Sequence, residues 1–206
     1  MQAPGGDTAF LGLCCELAGG RANPVRDVLP PLIHLPATDG ATAGWLEPTV
    51  RLLAMESVSH TPGRSIVLNR LAEVVFVQLI RVWIDRLPAG EGGWLRALKD
   101  AQLASAMQAM HTAPGEAWTL ESLAERASMS RSAFAARFKA VVGETPLDYL
   151  TRWRIQRAMS LLEQGNVPLK EIVSRSGYAS EAAFRTVFKS RVGESPGSYR
   201  TRVRGD

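Results

Sequence analysis

The residues best placed to meet a ligand come in two matching sets. Arg131, Ser132, Ala135 and Ala136 follow Ser130, and Glu181, Ala182, Arg185 and Thr186 follow Ser180. Within each set, phenylalanine and valine recur at i, i+4 and i+8, as Phe134, Phe138 and Val142 and as Phe184, Phe188 and Val192. That spacing turns the aromatic stripe inward on a helix and leaves the named positions facing out. An outward arginine offers a fork of donors to guanine, and small side chains meet the thymine methyl. This is the chemistry of reading base edges in a DNA major groove. Direct readout then leans on Arg131 and Arg185, on small contacts to thymine methyls, and on DNA shape, because Ala136 and Thr186 cannot form a bidentate contact with guanine.

Nothing comparable supports catalysis. No Ser/His/Asp set, phosphate loop or carboxylate pair stands out, so no catalytic residue, metal or cofactor is expected. His34, His60 and His111 are scattered without metal-ligand spacing and read as satisfied structural histidines. Cys14 and Cys15 are adjacent, which supplies neither a disulfide framework nor a zinc site. Two apolar residues in a buried strand is the better reading of that pair than a thiol sensor. The seven aromatics Phe134, Phe138, Phe184, Phe188, Trp153, Tyr149 and Tyr199 stand at helical spacing, which favours core over the base stacking of a single-strand binder.

Charge points the same way as the outward residues. The chain carries a net charge of +4, yet residues 113–206 hold 15 Lys/Arg against 10 Asp/Glu while residues 1–112 hold 9 against 10. A basic half beside a neutral one indicates a polyanion-binding module attached to something else. Candidate phosphate contacts are Ser130, Thr145, Ser180 and Ser195 at helix starts, with Lys139, Arg152, Arg154, Lys189 and Arg191 supplying charge. For each Ser or Thr, plain helix capping is an equal alternative.

The elements that carry these residues repeat. Aligning Thr119–Tyr149 with Pro168–Tyr199, with one extra residue in the second copy, gives 12 identities in 31 positions. In each copy a short helix (Leu120, Leu123, Ala124, Ala127; then Leu169, Ile172, Val173) leads through a tight turn to the phenylalanine-bearing helix, which ends at Gly143 or Gly193. Glu144-Thr145-Pro146 and Glu194-Ser195-Pro196 then start a third helix, with an N-cap followed by proline in the first turn. The first of these runs from Pro146 to about Gln164, a rod of roughly 27 Å at 1.5 Å per residue. That is close to the pitch of B-DNA, about 34 Å.

Upstream, residues 1–44 have strand-and-turn composition, with four prolines and paired glycines. Helical periodicity returns over Trp45 to about His60, over Ser65 to Leu87, and from about Asp100 to His111. The helix ending at Leu87 is apolar nearly all round and must be buried within the chain or against a partner chain. No basic n-region precedes an apolar core, and no stretch is apolar enough to span a bilayer, so neither export nor membrane association is indicated and the compartment reads as reducing, cytoplasmic.

The pattern Leu-x-x-Leu-Ala, Met-Ser-x-x-x-Phe-x-x-x-Phe-Lys, Gly-x-Thr-Pro-x-x-Tyr-Leu, followed by Gly-Tyr-x-Ser-x-x-x-Phe-x-x-x-Phe-Lys and Gly-x-Ser-Pro-x-x-Tyr-Arg, strongly resembles the DNA-binding domain of the AraC/XylS transcription regulators over about residues 100–204. The resemblance implies a sequence-specific regulator that sets two recognition helices in successive major grooves of double-stranded DNA. It places Ser132, Ala135, Ala136, Glu181, Ala182, Arg185 and Thr186 at base-facing positions. Residues 9–36 look like the tail of the cupin-type sensor barrel of one branch of that family. Residues 45–87 look like its helical dimerisation and linker segment, which implies a homodimer.

The expected architecture is therefore mainly α, with two helix-turn-helix subdomains joined by a long linker helix, preceded by a helical segment and a short β remnant of a cupin-like barrel. Its divisions are a sensor remnant at 1–44, a dimerisation and linker segment at 45–99, and the double helix-turn-helix domain at 100–206. Most of such a barrel would lie upstream of Met1, so the chain reads as shortened and its pocket for a small-molecule effector as incomplete. The competing functional reading is an interaction protein that pairs with a full-length relative without reading DNA itself.

Overall fold

The computed structural model describes residues 12, 29–34, 44–88, 93–165 and 167–205. Among them every regular element is a helix. None of these helices is long and apolar enough to cross a membrane. The expected β remnant and Cys14-Cys15 lie outside the described residues, apart from residues 12 and 29–34, which form no strand.

The described helices fall into two compact units with the division at residues 86 and 87. The first holds α1 (Leu46–Val58) and α2 (Arg64–Arg86), which pack on each other across the Pro62-Gly63 turn. Gly63 takes φ of 88°, a left-handed conformation that reverses the chain at little cost only in glycine. Leu53, Val75, Val82 and Ile84 are buried here. The all-round apolar character of α2 is only partly absorbed, because Ile66, Val74 and Val77 stay exposed, as do Met55 and Val58 on α1.

The second unit contains α3 (Gly93–Ala97), α4 (Ala101–Thr112), α5 (Leu120–Arg126), α6 (Arg131–Val142), α7 (Pro146–Gln164), α8 (Leu169–Arg175), α9 (Glu181–Val192) and α10 (Pro196–Arg204). Helix α3 was not expected from sequence; it packs against α6, so the unit begins before residue 100. Its Trp94, Leu95 and Ala97 are all buried.

Each helix of the duplicated region begins and ends as local chemistry dictates. Thr119 and Ser122 form a capping box on α5, and the hydroxyls of Ser130, Thr145, Ser180 and Ser195 accept the backbone N–H groups of Ala133, Asp148, Ala183 and Ser198. Pro146 and Pro196 occupy the first turn, where a missing N–H costs nothing. Gly143 and Gly193 end α6 and α9 in the left-handed region at φ of 92° and 89°.

The turn between the first two helices of each copy also needs a left-handed residue. The second copy supplies Gly177 at φ of 69°, and the first accepts Ser128 at φ of 53°. Gly177 has a second duty, since a Cβ there would lie 2.6 Å from the carbonyl oxygen of Gly115. The 113–116 loop therefore presses backbone to backbone against the turn of the second copy, and Arg154 of α7 clamps it by donating from Nε to the carbonyl of Pro114 and from Nη2 to that of Glu116, both at 2.7 Å.

Two cores result. In the first copy Phe134 and Phe138 are fully buried and Phe138 meets Tyr149 edge-on, while Leu123, Leu103, Met107 and Met110 complete the interior. In the second, Phe184 and Phe188 pack with Ile155, Ala158, Leu162, Ile172, Val173 and Tyr199. Helix α7 contributes to both, with Tyr149 and Leu150 at its start and Ile155, Ala158 and Leu162 later, which makes it a shared wall rather than a tether.

Gly177→Ala should destabilise the domain by about 2–3 kcal/mol in urea unfolding, from left-handed strain and overlap with Gly115. Ser128→Ala, at the equivalent position with no glycine to replace, should change stability by less than about 0.5 kcal/mol.

Candidate nucleic-acid interface

Burial of the phenylalanine pairs decides what α6 and α9 show to solvent. On α6, Arg131, Ser132, Ala136 and Lys139 are exposed and Ala135 half-buried; on α9, Glu181, Ala182, Arg185, Thr186 and Lys189 are all exposed. Every base-contact candidate therefore lies on the outer face of its helix. Both helices carry their first turns outward from serine caps, which leaves the positive ends of the helix dipoles beside these faces.

The two candidate arginines for guanine are both held by glutamates. Arg185 donates from Nε and Nη2 to one oxygen of Glu181 at 2.9 and 2.6 Å, and Arg131 donates from Nη1 to Glu121 at 2.6 Å. The Arg131 guanidinium, through its hydrogen bond, keeps the Glu121 carboxyl below the ordinary range for glutamate. Both pairs are about half exposed or more, so water weakens them and a base edge can compete for either arginine. Thr186 bonds back to the carbonyl of Ala182 at 3.0 Å, which orients its methyl group away from that bond.

The candidate phosphate contacts divide by what else they do. Among the described residues Lys139 and Lys189 are exposed with no ion-pair partner. Ser130, Thr145, Ser180 and Ser195 spend their hydroxyls on caps. Arg191 on α9 donates to Asp148 of α7 at 3.0 Å, tying the end of α9 to the start of the rod. Asp148 is held below the usual aspartate range by the hydrogen bond from Thr145 and then by Arg191. Arg152 and Arg154 both have hydrogen-bond partners within the domain. Arg152 is less than one-third exposed, bonds Glu144 through Nε and Nη2 at 3.0 and 2.6 Å, and lies over the Tyr149 ring; Arg154 is taken up by the loop carbonyls and by the Tyr178 ring. Arg202, Glu194 and Tyr199 repeat the Arg152 arrangement in the second copy. Extending the internal alignment past Tyr199 is the signal that reveals it.

Two features of the surface escaped the sequence. An apolar cleft of about 330 Å³ opens beside α6, bounded by Leu120, Ala135, Ala136 and Leu147 with Lys139 and Thr145 at its rim. Leu147 remains 43 % exposed there. The other is the brace behind α6: Arg137 pairs with the α4 cap Asp100 at 2.7 Å and donates to Gln102 at 3.0 Å, while Gln102 donates to the carbonyl of Ala127 at 3.1 Å.

His111 anchors the far side of the same block. Its Nε2 and the Tyr149 hydroxyl share a hydrogen bond of 2.6 Å, Trp153 stacks on the ring at 3.8 Å, and Trp94 meets it edge-on. Burial, aided by Arg152, lowers the imidazole to about 4, and burial raises the Tyr149 hydroxyl. Both groups are neutral at physiological pH. His34 and His60, by contrast, are exposed and carry no such role.

A helix-turn-helix family model matches residues 123–202, which run from α5 to α10, and a cupin model matches residues 2–85. An AraC-like transcription regulator of Streptomyces lividans is 38% identical over 181 residues, covering 87% of this chain and 59% of its own length. The chain belongs to the AraC-type helix-turn-helix family. The HTH-type transcriptional regulator AlkR of Acinetobacter baylyi is 36% identical over 160 residues, which are 77% of this chain and 52% of that protein. Among solved structures, the DNA-binding domain of AdpA in complex with a target DNA aligns with 50% of this chain and 93% of that one, at 33% identity and a TM-score of 0.47. The chain spans between about half and three-fifths of the length of these two curated relatives.

The His111 site sets a pH dependence. In an unfolded chain histidine titrates near 6.5, so between 6.5 and about 4 the unfolded state takes up a proton that the folded state refuses. Its contribution to stability is constant above 6.5 and is lost as pH falls through that window. Between pH 7 and 4.5 the native chain should lose about 2 kcal/mol more than His111→Gln in urea titrations. Equal losses in the two proteins would remove the buried neutral imidazole from the account.

Proposed function

We propose that this chain is a transcription regulator that binds double-stranded DNA sequence-specifically, placing α6 and α9 in successive major grooves. The observation that carries this reading is a single one. Two serine-capped helices, each anchored by a buried phenylalanine pair, present their candidate base-contact faces outward from one unit built around a 19-residue helix. Relatives that are regulators by name support it, as does the base excess of residues 113–206.

Base contacts in this reading come from Arg131, Ser132, Ala135 and Ala136 in the first half-site and from Glu181, Ala182, Arg185 and Thr186 in the second. Lys139 and Lys189 contact phosphates, helped by the capped helix starts at Ser130, Thr145, Ser180 and Ser195, and by Arg191 once it leaves Asp148. Residues 1–44 belong to a cupin-like sensor, and α1 with α2 pairs two chains. The support for pairing is the exposed apolar set Met55, Val58, Ile66, Val74 and Val77, at 46–72 % exposure, on a helix pair too small to cover it.

Selection of duplex fragments by the full chain should recover two motifs about 10 base pairs apart. Arg185→Ala should relax preference at one base step at a cost of about 1–3 kcal/mol, whereas Lys189→Ala should weaken all sequences alike and lower the salt slope by about 1. No sequence enrichment, or identical losses for both variants on every duplex, would overturn the regulator reading. Sedimentation should give a dimer for the native chain and a monomer for Met55→Glu/Val77→Glu.

A further inference from the structure

The duplication keeps its phenylalanines and its helix ends, and three of the positions at which the copies differ lie together on the surface of the first. Leu120, Lys139, Thr145 and Pro146 have Leu169, Lys189, Ser195 and Pro196 as counterparts in the second copy, while Ala135, Ala136 and Leu147 correspond to Arg185, Thr186 and Gly197. The three divergent positions of the first copy all line the cleft of about 330 Å³ beside α6. The first block therefore sets apolar groups on its recognition face where the second sets a charged fork and a hydroxyl.

An apolar patch that shares Ala135 and Ala136 with the candidate DNA-reading face has one chemical match on a duplex. In the major groove, adenine, guanine and cytosine present hydrogen-bonding groups alone, and thymine adds a C5 methyl. At the rim of the cleft Lys139 is exposed and brings a positive charge within reach of a phosphate, while the start of α7 is already occupied by the Asp148 carboxylate, which accepts from the Thr145 hydroxyl at 2.8 Å. Leu147 in the first turn of α7 lines the cleft and remains exposed.

We infer that the first helix-turn-helix block reads thymine methyl groups through the cleft of Leu120, Ala135, Ala136 and Leu147, while the second block reads a G·C-containing step through Arg185 and Glu181. The two half-sites then differ in chemistry as well as sequence, and the site has a direction. This rests on the proposed DNA-binding reading and refines it. Burial of one methyl group corresponds to about fourfold in affinity, from about 0.8 kcal/mol per carbon and 1.4 kcal/mol per tenfold.

Uracil isolates this term, because deoxyuridine pairs like thymidine and lacks only the C5 methyl. With the full chain and a selected duplex, the half-site of the second block is first located as the one whose preference Arg185→Ala relaxes. Deoxyuridine in the other half-site should then weaken binding about fourfold for each methyl in the cleft, and in the Arg185 half-site by less than twofold. Leu147→Ser, at an exposed position, should bring the thymine and uracil duplexes to equal affinity, with its thermal unfolding matched to the native chain as a control. Equal or absent uracil effects in the two half-sites, with sequence selectivity retained, would overturn the methyl-reading cleft and leave the regulator standing. A thymine preference that survives Leu147→Ser would also overturn it. If uracil is silent and Leu147→Ser instead abolishes a protein–protein contact, the cleft belongs to a protein partner and the inference fails. Absence of any selected duplex would strike the regulator reading itself.

Discussion

Burial of Phe134 with Phe138, and of Phe184 with Phe188, is the constraint on which the rest of this domain depends. Each pair spans one turn and is completely removed from solvent, so rotation of either helix about its axis would expose two aromatic rings at a cost of several kcal/mol. The outer faces of α6 and α9 are thereby fixed without any interaction at those faces. That separation lets the exposed residues vary while the fold is kept. It also explains how a single ancestral unit, once duplicated, could retain Phe, Lys, Gly, Glu, Pro and Tyr at matched places and still diverge at Ala135/Arg185, Ala136/Thr186 and Leu147/Gly197.

Rigid placement of the two blocks comes from several modest contacts acting on α7 together. Tyr149 and Leu150 bind the rod to the first core, and Ile155, Ala158 and Leu162 bind it to the second. Arg154 and the Gly115–Gly177 contact hold the 113–116 loop against the second turn, and the Arg191–Asp148 pair crosses from α9 to the start of α7. The ion pair is exposed and contributes little by itself. Its value is geometric, since it joins the end of α9 to the start of α7 outside the second core. Contact of Arg191 with a phosphate would exchange one partner for another at the same place.

Much of this was legible in the chain because helix boundaries are set locally. Ser130, Thr145, Ser180 and Ser195 mark starts, Gly143 and Gly193 mark ends, and the structure places α4 to α10 within a residue or two of the expected positions. What was not legible depended on distant partners. Five residues of α3 are too few to show a period, and their helix is stabilised by burying Trp94, Leu95 and Ala97. Arg152 and Arg154 looked like outward charge on a basic helix, since nothing in their neighbourhood announces Glu144 eight residues back or the carbonyls of a loop about forty residues upstream. The cleft likewise requires α5, α6 and α7 to meet before Leu120 and Leu147 share a surface.

The disposition of charge bears on how such a domain could tell one sequence from another. Seven guanidinium groups of the second unit, those of Arg131, Arg137, Arg152, Arg175, Arg185, Arg191 and Arg202, are paired with carboxylates. Nonspecific attraction to a duplex grows with the number of phosphates neutralised, and each of these arginines must exchange a carboxylate for a phosphate to take part. The exchange is nearly balanced for an exposed pair, so it adds little to binding on an arbitrary sequence. At a guanine the balance changes for Arg185, because the base offers two acceptors to the fork that Glu181 engages through one oxygen. In the proposed reading Glu181 would act against wrong sequences as much as for the right one: with no guanine to take Arg185 away the carboxylate would keep it, and with the fork taken Glu181 would be free to accept from a neighbouring cytosine. In the proposed reading, the unpaired Lys139 and Lys189 would hold the domain on the backbone, and the glutamate-held arginine would confine its stronger bond to a matching step.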